Sequence, residues 1–169
     1  MTKFNNFKYK NCQICGSKKL DVYLDLGYQP TVNDFAKIGD NRVTTEFYPL
    51  KIVLCNLCEL LQLDTKIDTK KIFPPNYAYR SGTTNILIQN FLNLAKDIEK
   101  TKILKPRDKI LDIGSNDGTL LSSFDKQYFK LGVEPTDVAK LAKKKGINTI
   151  QAPFSFKLSN QLKKKIWKI

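Results

Sequence analysis

Two Cys-x-x-Cys pairs, Cys12-Gln13-Ile14-Cys15 and Cys55-Asn56-Leu57-Cys58, are separated by 39 residues and contain every cysteine of the chain. Two intervening residues let both thiolates of a pair reach one tetrahedral ion at about 2.3 Å. Gly16 after the first pair permits the tight turn that aims backbone N–H groups at the sulfurs, whereas Glu59 stands where the second pair would repeat that glycine. Cys12, Cys15, Cys55 and Cys58 are therefore predicted to hold a single Zn²⁺, with iron as the chemical alternative. Four thiolates leave no open coordination position, so the ion is expected to be structural. It would clamp a domain too small to fold on buried apolar area alone. Neither pair precedes a helix of a βαβ unit, which argues against a redox pair of the thioredoxin kind.

The opening Met-Thr-Lys-Phe-Asn-Asn-Phe-Lys lacks the apolar stretch of roughly 7–15 residues that a secretory signal needs, and no later run approaches the roughly 18 of a membrane span. A soluble cytoplasmic chain is expected, with no membrane partner. In that reducing compartment thiols bind metal more often than they form disulfides. A length of 169 residues with 41% apolar content allows one ordinary domain or two small ones, with enough apolar side chains for a core. The chain has no histidine, which removes Ser-His-Asp and Cys-His mechanisms and every imidazole ligand or base. The formal charge of +13 comes from lysine, since the only arginines are Arg42, Arg80 and Arg107. Nucleic-acid binding prefers arginine forks interleaved with aromatics, so nucleic acid is not the expected partner. The triplets Lys143 to Lys145 and Lys163 to Lys165 read as solvated helix ends that complement the macrodipole.

Short strands and turns are expected over 1–60, including Leu20 to Leu26 and Phe47 to Leu54, followed by an irregular ordered loop over 61–82. Leu87, Phe91, Leu94 and Ile98, with Ile88 and Ala95 beside them, predict an amphipathic helix from Thr83 to Leu104. Strand and helix then alternate. Strands are predicted at Lys109 to Ile113, Phe129 to Val133 and Asn148 to Gln151. Helices are predicted at Thr119 to Lys126, Thr136 to Lys145 and about Ser155 to Lys165. This βαβαβα order makes a parallel sheet with helices packed on it. The fold class is α/β: a small β-rich zinc-binding domain over 1–80, a connecting helix over 81–107, and over 108–169 the first half of a Rossmann-like parallel sheet.

The turn after the first parallel strand reads Asp112-Ile113-Gly114-Ser115-Asn116-Asp117-Gly118. An acid two residues before the first glycine, with the glycines spaced by four, resembles motif I of class I S-adenosylmethionine (SAM) methyltransferases rather than a dinucleotide fingerprint. A carboxylate is a favourable neighbour for an ammonium and a sulfonium, and an unfavourable one for a pyrophosphate. Glu134 follows Asp112 by 22 residues, at the end of the second strand, where an acid can accept from ribose hydroxyls. Asp112, Gly114, Ser115, Asn116, Asp117, Gly118 and Glu134 are the expected cofactor-binding residues.

These two signals occur together with Asp25 to Pro30, Asn33-Asp34-Phe35, Tyr48 to Lys51, Tyr77 to Gly82 and Gly132 to Pro135. In combination they resemble the zinc-containing sugar C-methyltransferases that act on nucleotide-activated deoxysugars. The resemblance implies that the zinc domain helps to hold the nucleotide-sugar substrate, that the second domain binds SAM, and that Tyr77 and Tyr79 approach the active site as catalytic residues. It also implies that a base removes the proton alpha to a sugar ketone. In the family that base is a histidine in a further C-terminal part. This chain is therefore expected to be a truncated N-terminal portion, inactive alone, or half of a split enzyme with a separately encoded C-terminal half. A zinc-ribbon adapter binding a protein or nucleic acid through its basic surface is the reading from another class.

Overall fold

A computed structural model describes residues 8–32, 35, 38–39 and 46–167, so Asn33 and Asp34 lie outside the described residues. The chain divides into two compact units, Met1–Ile72 and Phe73–Ile169.

In the first unit, strand β1 (Leu20–Pro30) runs antiparallel to β2 (Phe47–Cys55), and β2 runs antiparallel to β3 (Leu61–Leu63), in the order β1-β2-β3. Register breaks in β1 between Val22 and Leu24 and between Asp25 and Tyr28, where Gly27 takes a φ of 68°. Pro49 is tolerated in the middle strand because it pairs with Tyr28, beyond the Ile52 to Leu54 stretch that β3 reaches. A short helix, α1 (Thr69–Ile72), follows, and its Lys71 pairs with Glu46 and Tyr48. The segment 61–82 is thus more regular than its sequence suggests. β3 is too short for its Leu-Gln-Leu alternation to register as a strand pattern, and it forms because β2 offers it a free edge. Every residue of β1 after Leu20 is exposed, and among the described residues the buried apolar set of this unit is Cys12, Val53 and Cys55. So small a core stabilises little by hydrophobic burial alone.

The second unit contains helix α2 (Asn85–Lys100), then β4 (Lys109–Ile113), α3 (Thr119–Ser123), β5 (Phe129–Val133), α4 (Ala139–Lys144), β6 (Asn148–Ile150) and α5 (Phe156–Leu162), the last running into a π turn over Lys163–Trp167. The three strands are parallel in the order β4-β5-β6. Alternating residues feed opposite faces. Ile110 packs with Ala95, Phe124 and Tyr128 and also with Leu121, Ala142 and Ile147, whereas Leu111 joins Leu131, Val133 and Leu162. Leu94, expected on the buried stripe of α2, is 45% exposed, and Ala95 beside it carries the contact instead. α3 stops at Ser123 rather than Lys126. Ser122 and Ser123 return their hydroxyls to the carbonyls of Gly118 and Thr119, and Phe124 turns extended to enter the core. No helix among the described residues is long and apolar enough to cross a membrane. Leu121 is fully buried at the junction of α3, α4 and the sheet. Leu121→Ala is expected to cost about 2–5 kcal/mol, read as a lower urea midpoint for the second unit.

Candidate functional site

Cys12 and Cys58 bring their Sγ atoms to 3.6 Å, Cys15 and Cys55 bring theirs to 3.5 Å, and all four sulfurs lie within 4.8 Å of one another. A tetrahedron with 2.3 Å bonds has edges of about 3.8 Å, so the cluster fits a Zn²⁺ or iron centre with little adjustment. The two knuckles are built alike. The N–H of Gly16 donates to the Cys12 carbonyl at 3.0 Å, and the N–H of Glu59 donates to the Cys55 carbonyl at 2.8 Å. Gly16 does so at a φ of 73°, and Glu59 adopts the same left-handed turn at 60° despite its side chain. Each turn aims N–H groups at the first sulfur of its pair. Those of Cys58 and Leu57 lower the Cys55 thiol to about 6, and those of Cys15 and Ile14 lower Cys12. The second sulfurs behave differently. The Leu60 N–H favours the Cys58 thiolate, but the neighbouring Cys15 sulfur and burial, with Cys12 and Cys55, push it up to about 12. A cation is what allows all four to be thiolates together. Gln62, buried beside the first knuckle, accepts the N–H of Gln13 at 2.9 Å and so ties that knuckle to β3.

The second candidate site is the turn from β4 into α3. The N–H groups of Gly114 and Ser115 both donate to the Val133 carbonyl, at 2.8 and 3.1 Å, so the loop folds back over the end of β5. This close approach requires Gly132, because a Cβ there would sit 2.3 Å from Ser115 Oγ. Gly118 holds a φ of 75° against Ala142 and Ile147. Glu134 is buried. It accepts the Asn116 N–H at 3.0 Å on one oxygen and the N–H and hydroxyl of Thr136, at 2.9 and 2.6 Å, on the other. Asp112, half-buried at the end of β4, receives no hydrogen bond among the described residues, and burial, with the Glu134 charge adding to it, holds its carboxyl above the ordinary value of 3.8. Ser115 Oγ is buried without a partner. A carboxylate lacking donors at the carboxyl end of a parallel strand, with open space where a Gly114 Cβ would point, suits a cationic ligand.

The Tyr77 and Tyr79 rings meet edge to face at 6.5 Å, with Phe73 on the far side of Tyr77 at 5.4 Å. Their segment docks on the glycine loop. Asn116 accepts the Ser81 N–H and donates to the Tyr79 carbonyl, and Asp117 accepts the Gly82 N–H. Thr136, Gly132 and Lys145 also build this region. The sequence marked Gly132 only through the family resemblance, read Lys145 as a solvated helix end and did not single out Thr136, because their partners lie on other elements and no local spacing reveals them.

A family model described as "Putative zinc binding domain" matches residues 12–73, which include all four cysteines. Over 154 residues, 89% of its length, the chain is also 27% identical to the C-methyltransferase NovU of Streptomyces niveus, and this stretch is 36% of that protein. It thus spans about a third of the relative it matches. The first unit has little apolar core, so Cys15→Ser is expected to abolish metal retention and to cost the β1-β2-β3 sheet its protection from hydrogen exchange, as chelation of the wild type should. Glu59→Gly, which relieves the left-handed strain, should instead raise the stability of the metal-bound protein by about 0.5–1 kcal/mol.

Proposed function

We propose that this chain is the zinc-binding and donor-binding portion of a SAM-dependent C-methyltransferase acting on a nucleotide-activated deoxysugar. The relation to a C-methyltransferase across both units supports the reaction class. The observation that carries the donor assignment is Asp112, a half-buried carboxylate with no donor, at the carboxyl end of β4 beside Gly114. When bound, SAM supplies an electrophilic methyl group on a sulfonium.

The residues proposed to hold it are Asp112, Gly114, Ser115, Gly118 and Glu134, on a loop that Asn116 and Asp117 shape. Asp112 neutralises the ammonium of the donor, a charge that S-adenosylhomocysteine keeps, and Glu134 keeps one acceptor site for a ribose hydroxyl after its three internal hydrogen bonds. Tyr77 and Tyr79 are proposed to line the methyl-transfer site, orienting the sugar and excluding water. Phenols as a class are poor bases near neutral pH, and the chain has no histidine, so no residue of this chain is assigned the proton abstraction. The four cysteines are proposed to hold Zn²⁺ as a structural clamp. On this reading the working divisions are the zinc-binding domain over 1–80, the helix over 81–107 and the donor-binding region over 108–169, in a cytoplasmic protein.

Asp112 gives the test a distinctive sign. Its folded-state pKa is raised, so its contribution to stability is present at low pH and declines as pH rises from the ordinary 3.8 through the raised value. At pH 7 Asp112→Asn should therefore raise the melting temperature of the ligand-free protein while weakening S-adenosylhomocysteine binding about tenfold or more, measured by calorimetry. Unchanged affinity in a stabilised variant would contradict the assignment.

A further inference from the structure

The loop residues that spacing assigns to a cofactor are largely occupied by the protein itself. Asn116, 8% exposed and left-handed at a φ of 50°, uses both functions of its amide on the aromatic segment: Oδ1 accepts the Ser81 N–H at 2.8 Å and Nδ2 donates to the Tyr79 carbonyl at 3.1 Å. Asp117, 4% exposed, accepts the Gly82 N–H at 3.2 Å and the Lys145 ammonium at 2.9 Å on Oδ2, and the N–H and hydroxyl of Thr119 at 3.3 and 2.6 Å on Oδ1. A carboxylate has about four lone-pair sites, and all four are filled. The fit is close as well. A Cβ on Gly82 would lie 2.6 Å from Asp117 Oδ2 and 2.7 Å from Thr119 Oγ1, so only a bare backbone can dock there.

We infer that Asn116, Asp117 and Lys145 form a latch that fixes the Tyr77 to Gly82 segment to the glycine loop, and that they serve as positioning residues rather than as contacts to the donor. The backbone N–H of Asn116 is held by Glu134, so the latch shares its anchor with the loop that faces the ligand. Occupancy of that loop and placement of the tyrosine pair are thereby coupled through one short, buried run of hydrogen bonds. Lys145 closes a lysine triplet at the end of α4 and differs from a solvated helix end, because its ammonium reaches an aspartate 28 residues upstream. The inference rests on the methyl-donor reading only for the identity of the ligand.

Amide hydrogen exchange on the full chain tests it, with S-adenosylhomocysteine as the probe. Asn116→Asp keeps the acceptor for Ser81 but sets a carboxylate oxygen against the Tyr79 carbonyl, and Lys145→Met removes the cation from Asp117. Each should speed exchange at Ser81 and Gly82 about tenfold or more, the size expected when a charge-assisted hydrogen bond is lost, while the amides of β4 and β5 keep their protection. Lys145→Arg should restore it. In the wild type, bound S-adenosylhomocysteine should slow exchange at the same two amides, and in Asn116→Asp it should not. Lys145 is partly solvent-exposed, so Lys145→Met keeps the test available if Asn116→Asp fails to fold. Unchanged exchange at Ser81 and Gly82 in Lys145→Met overturns the latch, as does full ligand-induced protection in Asn116→Asp. Loosened segments in a protein that binds no S-adenosylhomocysteine would support the latch and defeat the methyl-donor reading.

Discussion

Four sulfur atoms within 4.8 Å set the terms for the first unit. As thiolates they repel one another, and as thiols they leave the inward-pointing N–H groups of both knuckles without charged acceptors. The Cys55 thiol, drawn down to about 6, and the Cys58 thiol, pushed up to about 12, express this conflict within one cluster. A divalent cation resolves it and at the same time ties the segment before β1 to the end of β2. The sheet has few other sources of stability, since β1 is exposed almost throughout. On the proposed reading the metal, more than buried apolar area, stabilises this unit.

The second unit depends on burying polar groups that are satisfied internally. One carbonyl, that of Val133, takes two N–H groups from the loop, and one carboxylate, that of Glu134, takes the next. These bonds bend the chain between β4 and α3 into a narrow return that only glycine at 132 can accommodate. Asp112 and Ser115 Oγ remain without hydrogen-bond partners among the described residues. The loop thus separates into residues bonded within the fold and residues that are not, a division that glycine spacing alone does not reveal.

Much of the fold was legible from patterns of short range. β4 and β5 have the bounds expected from their compact apolar runs, and the four cysteines converge as their spacing predicts. Departures arose where tertiary contacts override local preference. β3 exists because β2 offers an edge, α3 ends early because Phe124 belongs in the core, and Glu59 occupies a glycine's conformation because the second knuckle needs the same turn as the first. Lys145 was read as a solvated helix end because its role depends on an aspartate remote in sequence, and the bonds of Asn116 and Asp117 to Ser81 and Gly82 had no local signal because those partners lie on another segment. Such pairings have no periodicity to detect.

We propose that one polypeptide joins a structural four-thiolate metal centre to a methyl-donor loop. Native mass spectrometry of the full chain, purified without added metal and then mixed with S-adenosylhomocysteine, tests both halves together. The expected spectrum shows one Zn²⁺ per chain as isolated, and one further adduct of S-adenosylhomocysteine that weakens in Asp112→Asn. A folded chain that carries no metal and forms no adduct would contradict the account.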